Sequence, residues 1–375
     1  MKLKRLIALL LCAAIAVGFC GCQKKTADST GERVGEASDR RVYIDGTSFC
    51  VGGNEIWFNG ANTPWDHWND FGGDFDPDFW DEHFSMLEEA GVNATRIWIN
   101  CNGLVGVIVN EDGSFDSVTE QHWSDLDKLF GLAKEHGIYI MATLMSFDHF
   151  KQSNTGHDNW RNMIKSSENI DSFVEGYVIP LCERYGDNEY LFAIDLMNEP
   201  DWVHENDENG KQSWEDLSDL FAREAAAIHE NSDILVTVGM GIIKYNSEKY
   251  EGNFVSDEYL RKLSGNENSY LDFYSPHYYE WQKQWFGYPF DISPEEFGLD
   301  GTKPAVIGEC ACIDTEPLAD RYEHAYRNGW NGVFIWTSNG VDSCGGYDDM
   351  KPATLHMLEV AEEKIRPGSA EIARD

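Results

Sequence analysis

From Arg41 onward the chain alternates between two hydrophobic periods. Short, nearly continuous apolar runs are followed by longer stretches whose apolar residues fall three and four positions apart. The runs are "EIWFNG", "NATRIWIN", "IYIMATLM", "LFAIDLMN", "ILVTVG", "LDFYSPH", "PAVIGE" and "GVFIWT", each with the length and character of a strand covered on both faces. Between the early ones lie amphipathic segments: "FWDEHFSMLEEAG", "HWSDLDKLFGLAKEHG", "IDSFVEGYVIPLCERYG" and "WEDLSDLFAREAAAIHE". The first three close on a glycine, a common helix stop. "SDEYLRKL", "PLADRYEHAYRNG" and "PATLHMLEVAEEK" continue the helical pattern. Ahead of the first run, "RVYIDG" pairs with "EIWFNG" around a glycine-containing turn. Strands mostly followed by helices predict a parallel sheet covered by helices. A doubly wound open sheet has the same order, but the first strand is not followed by G-x-G-x-x-G, and the polar residues gather at strand ends. The expected fold is α/β: a (β/α)8 TIM barrel with a short N-terminal β-hairpin.

The first residues follow a different pattern. "MKLKRLIALLLCAAIAVGFCGC" has a basic start, an apolar run from Leu6 to Phe19, and then small residues. It reads as a secretory leader, too short for a spanning helix. Its end, Phe19-Cys20-Gly21-Cys22, fits a bacterial lipobox with Cys22 lipidated; an ordinary secretion signal is the plainer reading. Residues 23–40 are polar, Gly/Ser-containing and aperiodic, the pattern of a flexible tether. The expected organisation is a lipoprotein signal peptide over 1–22, a tether over 23–40 and one (β/α)8 barrel domain over 41–375. Such a protein is extracytoplasmic, lipid-anchored at the bacterial cell surface or secreted.

Composition narrows the partners. Acidic residues outnumber basic ones along the whole chain, for a net charge of −37. Such a surface repels nucleic acid and other polyanions and suits a neutral partner, although a surface tuned for solubility carries the same charge. Of nine cysteines, three lie in the leader; Cys50, Cys101, Cys182, Cys310, Cys312 and Cys344 are scattered and form no disulfide framework. No cysteine or histidine spacing suits zinc, and "ENDENGKQSWED" departs from a calcium loop at its first and last positions. No metal or cofactor is therefore expected, and the chain is expected to be a monomer. The sequon Asn93-Ala94-Thr95 falls at a strand start. Asp148 and His149 lack the G-x-S-x-G elbow that a serine hydrolase triad would need.

In an eight-stranded barrel, chemistry sits at the carboxyl ends of the strands. Those ends carry Arg96 on the second strand, Asp148 and His149 after the third, and Asn198-Glu199-Pro200 after the fourth. The sixth ends in His277, Tyr279 and Trp281, the seventh in Glu309, and the eighth in Trp336, Ser338 and Asn339. Any one of these is explained as a rim residue. Two glutamates with Arg, His, Tyr and Trp at neighbouring ends are not.

"MNEP" on the fourth strand and "VIGE" on the seventh, with "HYY" and "FIW" on the sixth and eighth, resemble clan A glycoside hydrolases, most closely family 5, across the whole barrel. The resemblance implies that Glu199 is the general acid/base and Glu309 the nucleophile. It implies that Asn198 holds the sugar 2-hydroxyl, that Arg96 lies beneath Glu309, and that His277 and Tyr279 orient the carboxyls. Trp336 would be the platform of the cleaved subsite, and His149 would fill the place of the family's histidine after strand three. Retaining hydrolysis needs one protonated and one ionised carboxyl. Arg96 and Tyr279 would keep Glu309 charged, and that charge would raise Glu199. Pyranose faces pack on aromatic rings; of Trp65, Trp68, Trp202, Trp281 and Trp285 in the loops, Trp65, Trp202 and Trp281 are the expected subsite residues. The "FNGANTPW" start and aromatic loops resemble mannan- or glucomannan-cleaving members. An endo-β-1,4-glucanase is the alternative, and a non-catalytic surface glycan-binding lipoprotein the rival of another class. The rival would be expected to have lost a carboxyl, whereas both are present.

Overall fold

The computed structural model of the chain describes residues 40–368; the leader, Cys22 and all of the tether but Arg40 lie outside them. Eight parallel strands close on themselves: β1 (Phe58–Asn62), β2 (Ala94–Trp98), β3 (Tyr139–Thr143), β4 (Leu191–Asn198), β5 (Leu235–Met240), β6 (Ser275–Tyr278), β7 (Ile307–Ala311) and β8 (Gly332–Trp336). Each pairs with the next, and β8 returns to β1 in the register Gly332↔Phe58 through Trp336↔Asn62. The predicted barrel is the observed one.

Local chemistry sets the surrounding helices. Asp76 caps Pro77–Glu89, accepting from the backbone of Asp78 and Phe79, with Pro77 at the first helical position. Thr119 caps Glu120–His136, which stops at Gly137 in the left-handed conformation. Ser213 caps Trp214–Asn231. Each helix buries one face against the barrel; Trp80, Phe84 and Leu87 do so in the first. No helix among the described residues is long and apolar enough to cross a membrane.

Three departures from the expected elements have physical reasons. The helix expected as one run from Ile170 to Gly186 is Ser167–Phe173 and Ile179–Tyr185, joined by a π turn over Val174–Val178. Pro180 has no N–H to continue the ladder, and the Ile179 N–H bonds the Val174 carbonyl instead. The strand expected from Leu271 is paired only over Ser275–Tyr278, apart from an isolated bridge between Tyr274 and Ala305. The N-terminal hairpin is a three-stranded antiparallel sheet, Tyr43–Asp45, Ser48–Val51 and Asn54–Glu55. "EIWFNG" is thereby divided between that sheet and β1.

The sheet has a structural purpose. Val42, Phe49, Val51 and Ile56 share a buried cluster with Phe58, Ala94, Tyr139, Phe192 and Leu235, all at the beginnings of barrel strands. The sheet therefore closes the amino end of the barrel and leaves the carboxyl end open. Phe49 is the centre of this plug, edge-on to Phe58 at 5.0 Å and to Phe273 at 5.1 Å. Phe49→Ala is expected to lower unfolding stability in denaturant titration by about 3–5 kcal/mol, the cost of an aromatic-sized core deletion. The arrangement at the open carboxyl end should be unchanged in the folded fraction, because the plug lies at the opposite end of the barrel.

Candidate active site

Arg96 enters the barrel from β2 with no exposed surface. Its Nε and Nη2 donate to Asp195 Oδ2 at 2.8 and 2.6 Å, and Nη2 donates to Asn198 Oδ1 at 2.9 Å. Nη1 donates to Asn62 Oδ1 at 3.2 Å and to Glu309 Oε1 at 2.7 Å. The guanidinium also lies 4.2 Å from the centre of the Trp98 ring. Gly239 makes this approach possible: a Cβ there would stand 2.7 Å from Arg96 Nη2 and 2.9 Å from His277 Nε2. The Gly239 N–H in turn donates to Asp195 Oδ1 at 2.7 Å. Asp195, the polar break in the apolar fourth strand, is the anchor of Arg96.

β4 delivers Asn198 and then Glu199, whose backbone turns left-handed at φ 50° and ψ 57° before the helix Pro200–Glu205. A non-glycine residue held in that region is uncommon and is imposed by its surroundings. Here the Glu199 N–H bonds the Gly239 carbonyl at 2.7 Å. The buried Asp201 carboxylate accepts from Gly241 at 2.7 Å and Ile242 at 3.3 Å, tying the turn to the segment after β5. Gly241 fits against the Glu199 side chain, where a Cβ would lie 3.1 Å from its carboxyl carbon.

Glu309 on β7 faces Glu199. Its Oε1 receives Arg96, and its Oε2 receives the Tyr279 hydroxyl at 2.7 Å. Glu199 Oε2 accepts from Trp202 Nε1 at 2.8 Å, and its Oε1 lies 3.1 Å from His277 Nδ1. The same His277 nitrogen is 3.5 Å from Glu309 Oε1. One oxygen of each carboxyl and a His277 nitrogen fit within 4.8 Å of one another. That is the close spacing of a carboxyl pair that acts directly on one atom, not the wider gap that admits a water between them.

Burial pushes Glu199 up to about 7, further raised by Asp148; its Trp202 hydrogen bond and the Arg96 and Lys151 charges pull the other way without prevailing. The expected cause, the charge of Glu309, is thus not the main one. Burial raises Glu309 as well, and Glu199 adds to it, but the Arg96 charge and the Tyr279 hydroxyl favour its charged form, as does His277 only when protonated. Glu309 has a guanidinium and a hydroxyl in direct contact, whereas Glu199 has only an indole N–H and an imidazole. A proton held by the pair therefore rests on Glu199. Burial lowers His277 to about 4, so it is neutral between two carboxyls.

The pair opens into a cleft of about 510 Å³ whose lining includes Trp65, Trp68, Trp98, Trp202, Trp281 and Trp336. Two aromatic groups face one another across it. Trp336, Trp98 and Trp65, from β8, β2 and the segment after β1, pack at 5.1–6.0 Å. Trp202 and Trp281, from the segments after β4 and β6, lie 6.1 Å apart on the other side. Of the residues picked from the sequence, Asn198, Glu199, Tyr279, Glu309, Trp336, Trp65, Trp202 and Trp281 all line this cleft, with Arg96 and His277 directly beneath.

His149 does not join them. It is fully buried, its Nδ1 is 3.0 Å from the Ser146 carbonyl, and its ring stands edge-on to Trp160 at 4.6 Å. Ser146 and His149 cap the single turn Phe147–Phe150, so His149 fixes the loop while Phe147, Asp148 and Lys151 reach the cleft. Trp285 lies outside the cleft lining, and Trp68, passed over in the sequence, is in it. Sequence reading also missed Asn62, Gln282 and Asp342. Asn62 alone carried a signal, a buried-type amide at the end of "FNGAN". All six described cysteines are unpaired thiols, five of them buried, and Asn93 is buried with its amide on the carbonyls of Trp57 and Ile365.

Known proteins share this fold. A family model described as cellulase (glycosyl hydrolase family 5) matches residues 51–348. A mannan endo-1,4-β-mannosidase of Cryptopygus antarcticus is 25% identical over 344 residues, covering 82% of this chain and 87% of its own. One from Mytilus edulis is 26% identical over 352 residues, covering 84% and 94%. The solved β-mannanase of Mytilus edulis shares the barrel at a TM-score of 0.74 and 22% identity, over 88% of this chain and 97% of that one. The β-1,4-D-mannanase structure from Cryptopygus antarcticus does so at 0.76 and 21%, over 84% and 94%. With the family model spanning most of the described barrel, the chain belongs to glycoside hydrolase family 5 and is a glycosyl hydrolase.

Proposed function

We propose that the protein is a retaining endo-β-1,4-mannanase acting on mannan or glucomannan. The observation that carries the reading is the close carboxyl pair of unequal environment in a tryptophan-walled cleft; two relatives named mannan endo-1,4-β-mannosidase, each aligned over more than four fifths of the chain, supply the sugar. Glu309, ionised against Arg96 and Tyr279, attacks the anomeric carbon. Glu199, protonated, gives its proton to the departing glycosidic oxygen. The glycosyl bond then removes the charge of Glu309, the cation of Arg96 is less compensated, and Glu199 becomes the base that activates water. Asn198, oriented by Arg96, offers its amide N–H to the sugar 2-hydroxyl, and Trp336 carries the apolar face of the ring. Lipidation at Cys22 would hold the enzyme outside the cell, its tether letting the barrel reach an insoluble polysaccharide.

Reducing-end release on β-mannan, glucomannan and mixed-linkage β-glucan separates the substrates. Cleavage of both mannan and glucomannan is the expected outcome; cleavage of β-glucan and glucomannan alone makes it a glucanase. Glu309→Ala is expected to lower kcat by more than about 10⁴-fold while retaining glycan binding in calorimetry, and full activity in that variant overturns the nucleophile assignment. The pH dependence of kcat/KM should be bell-shaped. Its alkaline limb falls as Glu199 loses its proton near its value of about 7, and its acid limb falls as Glu309 gains one. Because the Trp202 N–H favours the ionised form of Glu199, Trp202→Phe should move the alkaline limb to higher pH and leave the acid limb in place.

A further inference from the structure

Gln282 stands in the wall of the cleft, yet its side chain is buried. A buried amide needs partners inside the protein. Its Nε2 donates to the Gly241 carbonyl at 2.8 Å, while its Oε1 is buried without a partner among the described residues. Turning the amide over would set oxygen against oxygen, so this orientation is the one that bonds. A half-satisfied amide is a poor device for stability, because the unpaired acceptor offsets what the bond contributes. The use of the one bond it makes lies in what that bond holds.

Gly241 backs the acid/base. A Cβ on it would stand 3.1 Å from Cγ and Cδ of Glu199 and 3.2 Å from Oε1. The Gly241 residue is gripped at both of its backbone polar groups. Gln282 holds the carbonyl, and Asp201, two residues beyond Glu199, accepts from the N–H at 2.7 Å. Just upstream, the Gly239 carbonyl accepts from the Glu199 N–H at 2.7 Å. Residues 239–241 are thus a plate against which the backbone and the carboxyl of Glu199 both rest.

Gln282 also connects this plate to the other glutamate. It closes the single turn Glu280–Gln282, its own N–H bonding the Tyr279 carbonyl at 2.8 Å. The Tyr279 hydroxyl donates to Glu309 Oε2 at 2.7 Å. One turn therefore reaches both carboxyls, Glu309 directly through Tyr279 and Glu199 by way of Gly241. We infer that Gln282 is a positioning residue that holds Glu199, through Gly241, where it can protonate the leaving oxygen. This rests on the glycoside-hydrolase reading above and adds to it a residue that governs proton delivery from behind the cleft wall. Without the bond the Gly241 peptide is free to shift and Glu199 follows; an error of about 1 Å in such a group costs about 100-fold in rate.

The test compares two leaving groups in the parent protein, Gln282→Met and Gly241→Ala. Gln282→Met keeps the bulk and removes the donor. Gly241→Ala sets a methyl group against Glu199, at a backbone position that is not left-handed. Mannotetraose needs a proton on its departing oxygen, whereas dinitrophenyl β-mannobioside releases a phenolate that leaves without one. In both variants kcat/KM on mannotetraose should fall by about 10- to 100-fold, and kcat/KM on the dinitrophenyl substrate should match the parent. The two changes combined should cost no more than the larger alone, because they act through one contact. Equal losses on both substrates in Gln282→Met overturn the inference, as does parent activity on both. A Gln282→Met protein that no longer folds overturns it too, since the residue then serves stability; Gly241→Ala separately checks the contact with Glu199. If the parent cleaves cellotetraose and dinitrophenyl β-cellobioside but not the manno pair, the mannan reading fails and the cello pair decides the role of Gln282. A parent that cleaves neither pair overturns both.

Discussion

A guanidinium without any exposed surface must find partners for its charge and for every N–H it carries, and Arg96 finds them in four residues from three other strands. Asp195 and Asn198 come from β4, Asn62 from β1 and Glu309 from β7. Removing any one would leave a buried donor or charge without compensation, a cost of several kcal/mol. The cation thereby fixes how β1, β2, β4 and β7 stand relative to one another at the open end of the barrel. It has two carboxylates in contact and one charge to offer. With Asp195 taken up on the inner side, the excess negative charge is left on Glu309, at the floor of the cleft.

The difference between the two glutamates follows from that arrangement and not from any property of glutamate. Glu309 is buried and Glu199 mostly so, and desolvation alone favours the neutral form of each. Direct contact with Arg96 and Tyr279 on one side, and an indole N–H with a neutral histidine on the other, separates them. The tryptophan walls of the cleft place no further charge in contact with Glu309. A net charge of −37 carries no penalty toward the neutral polysaccharide proposed as the ligand.

Much of this was legible because a barrel turns sequence order into spatial order. Once the eight apolar runs were recognised, Arg96, Asn198, Glu199, His277, Tyr279, Glu309 and Trp336 fell at strand ends, and strand ends meet. What stayed hidden depends on register and on turn geometry. Asp195 interrupts an apolar strand, yet only the position of β2 beside it shows that Arg96 is the reason. Gly239 looks like an ordinary strand glycine until Arg96 and His277 are placed against its Cα. His149 follows the third strand as a site histidine would, but the single turn Phe147–Phe150 rotates it inward and brings Asp148 and Lys151 outward. The N-terminal hairpin gained a third strand because Ser48–Val51 sits between glycines that mask so short a pairing.

The proposed mechanism rests on the closeness of Glu199 and Glu309, one oxygen of each lying within 4.8 Å, the spacing of direct attack by a carboxylate and not of attack by an intervening water. Proton NMR of the first product formed from a β-linked manno-oligosaccharide, recorded before the anomers interconvert, tests this most directly. A β-configured new reducing end is the predicted result, from two successive inversions at one carbon. An α-configured product would mean a single displacement by water and would contradict the roles assigned to both carboxyls.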